Sequence, residues 1–232
     1  MLKFFLFFIL SLYTAFSEVA AINYDDEGDL VLTGHQFVSL GGLCHTALAL
    51  RGNNLRKAAF PFDWTVSTKY EGLIRVLDDD FLFYTDEDCF DLYEGVPYVH
   101  NTYYSIVFPH DFNIDIVKIG QGREQWNEFK TKYDRRVARF RSLREYPYKV
   151  FFVRAFWTEL TEGQDGQFNE NTKRATELKY ALDRYFPDLD FTLIILSYND
   201  LPIPPLEYIE GVVEFRIGRS HKEFYDRACT LY

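Results

Sequence analysis

Hydrophobic positions along the chain fall into two kinds of run. Val150-Phe151-Phe152-Val153-Arg154-Ala155 and Phe191-Thr192-Leu193-Ile194-Ile195-Leu196-Ser197 are nearly continuous apolar stretches, the pattern of strands buried on both faces. Between them, Asn171 to Phe186 repeats apolar residues at helical spacing and stops at Pro187. That connection is long enough for a parallel crossover. Val212 to Ile217 predicts a shorter strand after the proline-rich Pro202-Ile203-Pro204-Pro205, and His221 to Leu231 a closing helix.

The first half carries the same alternation less densely. A short apolar strand at Phe37 to Leu40 passes through Gly41-Gly42 into a helix from Leu43 to Arg51, which stops at Gly52-Asn53-Asn54. Tyr70 to Leu77 predicts a helix, followed by the acidic turn Asp78-Asp79-Asp80 and the aromatic tail Phe81, Phe83 and Tyr84. Tyr98 to Phe108 reads as extended. Trp126 to Leu143 predicts an amphipathic helix with Phe129, Tyr133, Val137 and Phe140 on one face. Its arginines, Arg135, Arg136, Arg139, Arg141 and Arg144, most simply balance neighbouring acids on a solvated surface. Together these elements predict an α/β fold, one domain with an open, mostly parallel sheet and helices on both faces; a papain-like α+β arrangement is the alternative. In open parallel sheets ligands bind beyond the carboxyl ends of the strands, here Gly41 to Cys44, Arg154, and Ser197 to Asp200.

Charge and composition narrow the function. Net charge is −10, from 25 basic and 35 acidic residues, so no broad basic field exists for a phosphate backbone and nucleic acid is an unexpected partner. Aromatic residues make up 19% of the chain, enough for a large aromatic core or an apolar-lined cleft, and composition does not separate the two. Met1-Leu2-Lys3, the apolar run Phe4 to Phe16 and the small residues of Ala15-Phe16-Ser17 form the pattern of a secretory signal peptide. The expected organisation is therefore a signal peptide over 1–17, an acidic segment over 18–34 and a single domain over 35–232. A secreted or periplasmic destination follows, with no stable membrane span after cleavage. Cys44, Cys89 and Cys229 are odd in number, so at least one thiol stays free, and a single Cys89 to Cys229 bridge remains open. Neither CxxC nor HExxH occurs, and neither a metal nor a cofactor is expected.

Four positions carry candidate chemistry. Cys44 sits in the first turn of a helix entered through two glycines, where amides and the helix dipole favour a thiolate, although a lone cysteine in an apolar helix also packs well in a core. Phe60-Pro61-Phe62-Asp63-Trp64 is held extended by its proline, with Asp63 either in a site or capping the next helix. His110 lies just past a strand end. Arg154 interrupts an apolar run, and a buried arginine needs either a partner, such as Asp63 or Asp200, or a ligand.

Ser39-Leu40-Gly41-Gly42-Leu43-Cys44 with Ala47 and Leu50-Arg51, then Phe60-Pro61-Phe62-Asp63-Trp64, Gly72-Leu73-Ile74, Phe108-Pro109-His110-Asp111-Phe112, Tyr133 to Phe140 and Phe151-Phe152-Val153-Arg154 resemble, in this order, a bacterial domain family of unknown function catalogued among papain-like cysteine peptidases. The resemblance covers nearly all of the chain after the leader. It implies that Cys44 is the nucleophile and His110 the base that takes its proton. Asp63 is the chosen orienter of the imidazole, ahead of Asp111, whose side chain points away from its neighbour's in an extended segment. The amides after Gly42 and around Cys44 supply the oxyanion site, and Gly41, Gly42, Trp64 and Arg154 are the candidate binding residues. The expected function is an exported cysteine peptidase or a related thiol hydrolase or acyltransferase acting on a peptide or small molecule. The alternative is an exported α/β binding protein or group-transfer enzyme without peptidase activity, holding an anionic small molecule with Arg154 and the helix N-terminus. A structural interaction protein ranks third. Against the peptidase name, a papain-type fold pairs a cysteine-bearing helix with an antiparallel sheet carrying the histidine, whereas parallel strands are predicted here.

Overall fold

The computed structural model describes residues 22–24, 30–67, 69–92, 98–112, 123–156, 170–198 and 205–217. The signal-peptide reading, Asp200, Cys229 and the closing helix at His221 to Leu231 fall outside these residues.

Strands β1 (Ile22–Tyr24) and β2 (Leu30–Leu32) pair antiparallel within the acidic segment over 18–34. The main sheet has the order β3 (Gln36–Ser39), β7 (Val150–Ala155), β8 (Phe191–Tyr198), β9 (Val212–Ile217), and every pairing in it is parallel. Its register sets Val38 beside Phe152 and Phe152 beside Leu193. Because successive strand residues face opposite sides, Val150 and Phe152 enter one apolar layer while Phe151 and Val153 enter the other. The second layer is closed by Leu50 of helix α1 (His45–Gly52) and by Leu55 just beyond it. The first is closed by α2 (Tyr70–Asp78), α3 (Arg123–Ser142) and α4 (Glu170–Tyr185). Helices therefore cover both faces, and the chain is an α/β domain with a mostly parallel sheet.

The extended stretch from Tyr98 to Phe108 is two strands, β5 (Val99–Asn101) and β6 (Ile106–Phe108), which join β4 (Phe90–Leu92) in a small antiparallel sheet. The turn between β5 and β6 is fixed by Ser105 at φ 54° and by the Asn101 side chain, which accepts from the Tyr104 amide at 2.9 Å. No glycine marks that turn, which is why the run reads as unbroken.

The aromatic residues are spent largely on the core. Phe140 meets Phe62, Phe81, Phe152, Tyr185 and Phe186 at centroid separations of 5.2 to 6.0 Å. The edge-on pairs among them, with Phe62, Phe81 and Phe186, add about 0.5–1.5 kcal/mol each beyond the area they bury. The cluster ties α3 and α4 to the sheet and to the Phe60–Trp64 turn, which fixes that turn in space.

Candidate active site

The carboxyl end of β3 builds the site. Leu40 extends the parallel ladder by donating to Val153 O at 2.8 Å, and Ala155 returns a bond to Gly41 O at 3.2 Å. The chain then turns through Gly41 (φ +72°) and Gly42 (φ +97°), conformations that residues with a side chain rarely adopt. A Cβ on Gly42 would stand 2.2 Å from Ala155 O, so the turn lies against the end of β7. Thr46 of α1 donates from its hydroxyl to Gly41 O at 3.0 Å. Cys44 follows as the residue before α1, at φ −55° and ψ −22°, and its carbonyl accepts from Leu48. It is buried, with 4% of its surface exposed.

Both glycine amides are used in making this turn. Gly41 donates to Ser39 Oγ at 3.1 Å and Gly42 to Ser67 Oγ at 3.3 Å, while the Ser67 amide donates back to Gly42 O at 3.1 Å. Neither amide is left for a substrate oxyanion. That narrows the expected donors to the amides following Gly42.

Arg154 completes the same knot. Its Nη1 donates to Leu40 O and to Ser67 Oγ, both at 2.7 Å, and its Nη2 donates to Ser67 O. The side chain is 1% exposed, and burial pulls its pKa down to about 9, opposed by the charge of Glu71. It makes no ion pair among the described residues; of the expected partners, Asp63 pairs elsewhere and Asp200 lies outside them. Arg154 therefore clamps the glycine turn to Ser67 from within the protein, and these bonds go to protein oxygens where the sequence left a partner or a ligand open. Its Nη1 and Nη2 are engaged by protein oxygens, while its Nε is buried without a hydrogen-bond partner.

Asp63 is also engaged. Its Oδ2 accepts from Arg56 Nε at 2.8 Å and from the Phe60 amide at 2.9 Å, and an ion pair to Arg56 Nη2 closes at 2.8 Å. Burial raises its pKa, against the lowering effect of Arg56. These bonds anchor the Phe60–Trp64 turn, and none goes to His110. Asp111 accepts from Tyr133 Oη at 2.8 Å and pairs with Lys132. Neither carboxylate orients the His110 ring by a hydrogen bond in this structure.

His110 is exposed on the turn after β6. Its ring meets Trp64 edge-on at 6.3 Å, and Arg56 lies over the Trp64 ring at 5.5 Å. Partial burial lowers its pKa below the ordinary 6.5, with the Asp111 charge acting the other way. At neutral pH the imidazole is therefore neutral and able to take a proton.

One segment links the two halves. Ser67 holds the Gly42 turn, and Val66 forms an isolated antiparallel bridge with Val107 through two hydrogen bonds of 2.9 Å. Val107 lies three residues before His110. The strap from Phe60 to Ser67 thus ties the cysteine loop of the parallel sheet to the histidine end of the antiparallel sheet. Sequence reasoning missed Ser67, since a single serine in Thr65-Val66-Ser67 carries no signal of its own.

An open parallel sheet with a cysteine at the first turn after the edge strand, and a histidine arriving from a second sheet, defines an α/β protein with a candidate thiol site. The chain belongs to the family described as "Putative papain-like cysteine peptidase (DUF1796)", which matches residues 35–200. No curated protein and no solved structure matches the chain. Among the described residues no group of three or more His, Cys, Asp or Glu side chains is placed to hold a metal ion, and no helix is long and apolar enough to cross a membrane.

Proposed function

We propose that the protein is a cysteine peptidase or related thiol hydrolase or acyltransferase, with Cys44 as nucleophile and His110 as its base. The observation that carries this reading is the strap, which fixes the turn bearing Cys44 through Ser67 and the strand leading to His110 through Val66. Cys44 enters at a helix N-terminus, where the dipole favours the thiolate, and His110 is neutral in the pH range where it must accept a proton. In the acyl-transfer step the thiolate adds to the substrate carbonyl, the displaced group leaves with the proton held by His110, and water or a second acceptor releases the acyl group. The amides following Gly42 stabilise the intermediate oxyanion. Export through the leader at 1–17 belongs to this proposal, and it would give a mature chain starting at or just after Glu18; mass spectrometry of the exported protein tests that.

The burial of Cys44 favours a second reading, in which the thiol packs in the core and the crevice binds a small molecule without cleaving it. Alkylation separates the two. Under the hydrolase reading iodoacetamide labels Cys44 at mildly acidic pH much faster than the half-buried Cys89, whose own pKa is raised by burial and by Asp86 and Asp88. His110→Ala then slows Cys44 labelling by roughly 10²-fold, the loss expected of a general base. Labelling of Cys44 only on unfolding, or unchanged by His110→Ala, overturns the nucleophile.

A further inference from the structure

The arginines of α3 do not all lie on a solvated surface. Lys132, Arg136 and Arg139 recur at helical spacing on one side of the helix, and each meets a different part of the site. Lys132 pairs with Asp111, beside His110, and Arg139 Nη1 donates to Ala59 O at 2.6 Å, beside the Phe60–Trp64 turn. Arg136 lies between them in the helix. It is 8% exposed, its Nε and Nη1 are buried without a hydrogen-bond partner, and its guanidinium rests on the Tyr133 ring at 4.7 Å. Asp63 Oδ1 is likewise buried without a partner, and no ion pair closes between it and Arg136 among the described residues.

Native structures rarely leave buried charged nitrogens bare, because each costs roughly several kcal/mol when unpartnered, and it is the nitrogens of Arg136 that an anion would satisfy. Water alone could supply the missing hydrogen bonds, yet the charge count argues for more. Among the described residues the ion pairs made by Arg56, Lys132, Arg136 and Arg139 go to Asp63 and Asp111, two acids for four cations in a chain of net charge −10. The planar fork of an arginine matches the oxygens of a carboxylate or phosphate. We propose that Arg136 is the floor of an anion-binding site between the Phe60–Trp64 turn and the Pro109–Asp111 turn, which receives a carboxylate or phosphate group of the substrate beside His110 and Trp64.

As a substrate site this rests on the reading of Cys44 and His110 above; as an anion site it stands on Arg136 alone. Lys132 and Arg139 tie the two turns to one helix, so an anion on Arg136, between them, would be presented between the turns that carry Trp64 and His110. The substrate class is then an acidic or phosphorylated amide or ester.

The test uses the full chain with inorganic phosphate and succinate as probes, and sodium chloride at matched ionic strength as control. Saturable binding should move the His110 ring resonances in NMR and raise the thermal midpoint. Arg136→Gln should weaken both responses roughly tenfold or more, while Arg141→Gln, at an exposed α3 arginine that pairs with Asp80 away from both turns, leaves them unchanged. Arg136→Lys, which keeps the charge without the fork, should retain the thermal response in part and covers the case in which Arg136→Gln does not fold. Equal responses to chloride, no saturable response in the wild type, or full binding by Arg136→Gln would each overturn the site and leave bound water as the occupant. Iodoacetate and iodoacetamide run side by side keep the two claims distinct: slow labelling of Cys44 by both, with phosphate binding intact, removes the nucleophile but not the anion site. Fast labelling by iodoacetamide, with no preference for iodoacetate relative to a free thiol and no phosphate response, removes the anion site alone.

Discussion

Replacing Gly42 by alanine probes the turn on which the thiol depends. At φ +97° an L-residue is strained by about 1–2 kcal/mol. The new Cβ would also stand 2.2 Å from Ala155 O and 3.3 Å from Ala155 Cβ. That oxygen belongs to the last residue of β7, whose amide is held by Gly41 and whose successor Phe156 is bonded to Leu196 O at 3.0 Å, so the backbone has little room to yield. Forcing an extra carbon into a filled site costs about 1–3 kcal/mol. The sum, about 2–5 kcal/mol, is a large share of the roughly 5–15 kcal/mol that separates a folded domain from its unfolded chain. With a urea dependence of about 2 kcal/mol per M, the unfolding midpoint should fall by about 1–2.5 M. Gly52→Ala is the internal control: nothing lies within 4 Å of its new Cβ, so the same chemical change should leave stability unchanged or raise it by up to about 1 kcal/mol. Far-UV circular dichroism against urea measures both. A Gly42→Ala midpoint within about 0.3 M of wild type would refute the claim that the turn is packed against β7.

Three further outcomes follow from the same contacts. The His110 ring should titrate below 6.5 by NMR, and Asp111→Asn should lower it further, because the Asp111 charge raises it. Since the folded value is depressed, stability from His110 is present above pH 6.5 and is lost as pH falls through the folded value; His110→Asn should remove that acid-side loss. Arg56→Met leaves a buried carboxylate without its ion pair and should cost about 3–5 kcal/mol in urea unfolding at pH 7. With its main opposing charge gone, the Asp63 pKa moves further up, and because a raised folded pKa stabilises only while the group is protonated, part of the loss should be recovered as pH is lowered toward 4. Gly72→Ala, a change that ordinarily favours a helix, should instead destabilise, because its Cβ would lie 1.8 Å from Tyr104 O; an increase in thermal midpoint would contradict the packing of α2 on the β5–β6 turn.

The parallel sheet was legible because its strands are buried on both faces. Val150 to Ala155 and Phe191 to Ser197 leave no polar alternation, and helices of ordinary length separate them. The β5–β6 hairpin was not legible, since its tight turn uses Ser105 at positive φ where glycine or asparagine would have announced it. In the site, the glycine turn and the helix after it were visible at Gly41 and Gly42. What Arg154 does there was not: its presence in an apolar run signals a buried charge, but its acceptors are the carbonyls of Leu40 and Ser67, and backbone carbonyls leave no mark in a sequence. Arg136 reads as a surface residue because arginines crowd that helix, and periodicity alone does not say which of them is buried.

The Val66 to Val107 bridge gives the protein a mechanical joint between the strap that holds the cysteine loop and the antiparallel sheet that leads to His110. Its two amides face each other in one narrow ring, so both exchange their hydrogens with solvent when the strap parts from β6. Deuterium uptake at Val66 and Val107 therefore acts as a clock for the separation of the cysteine loop from the histidine turn, readable without substrate. A ligand that bridges the two turns would slow that clock, and one that binds to a single turn would leave it running at its resting rate.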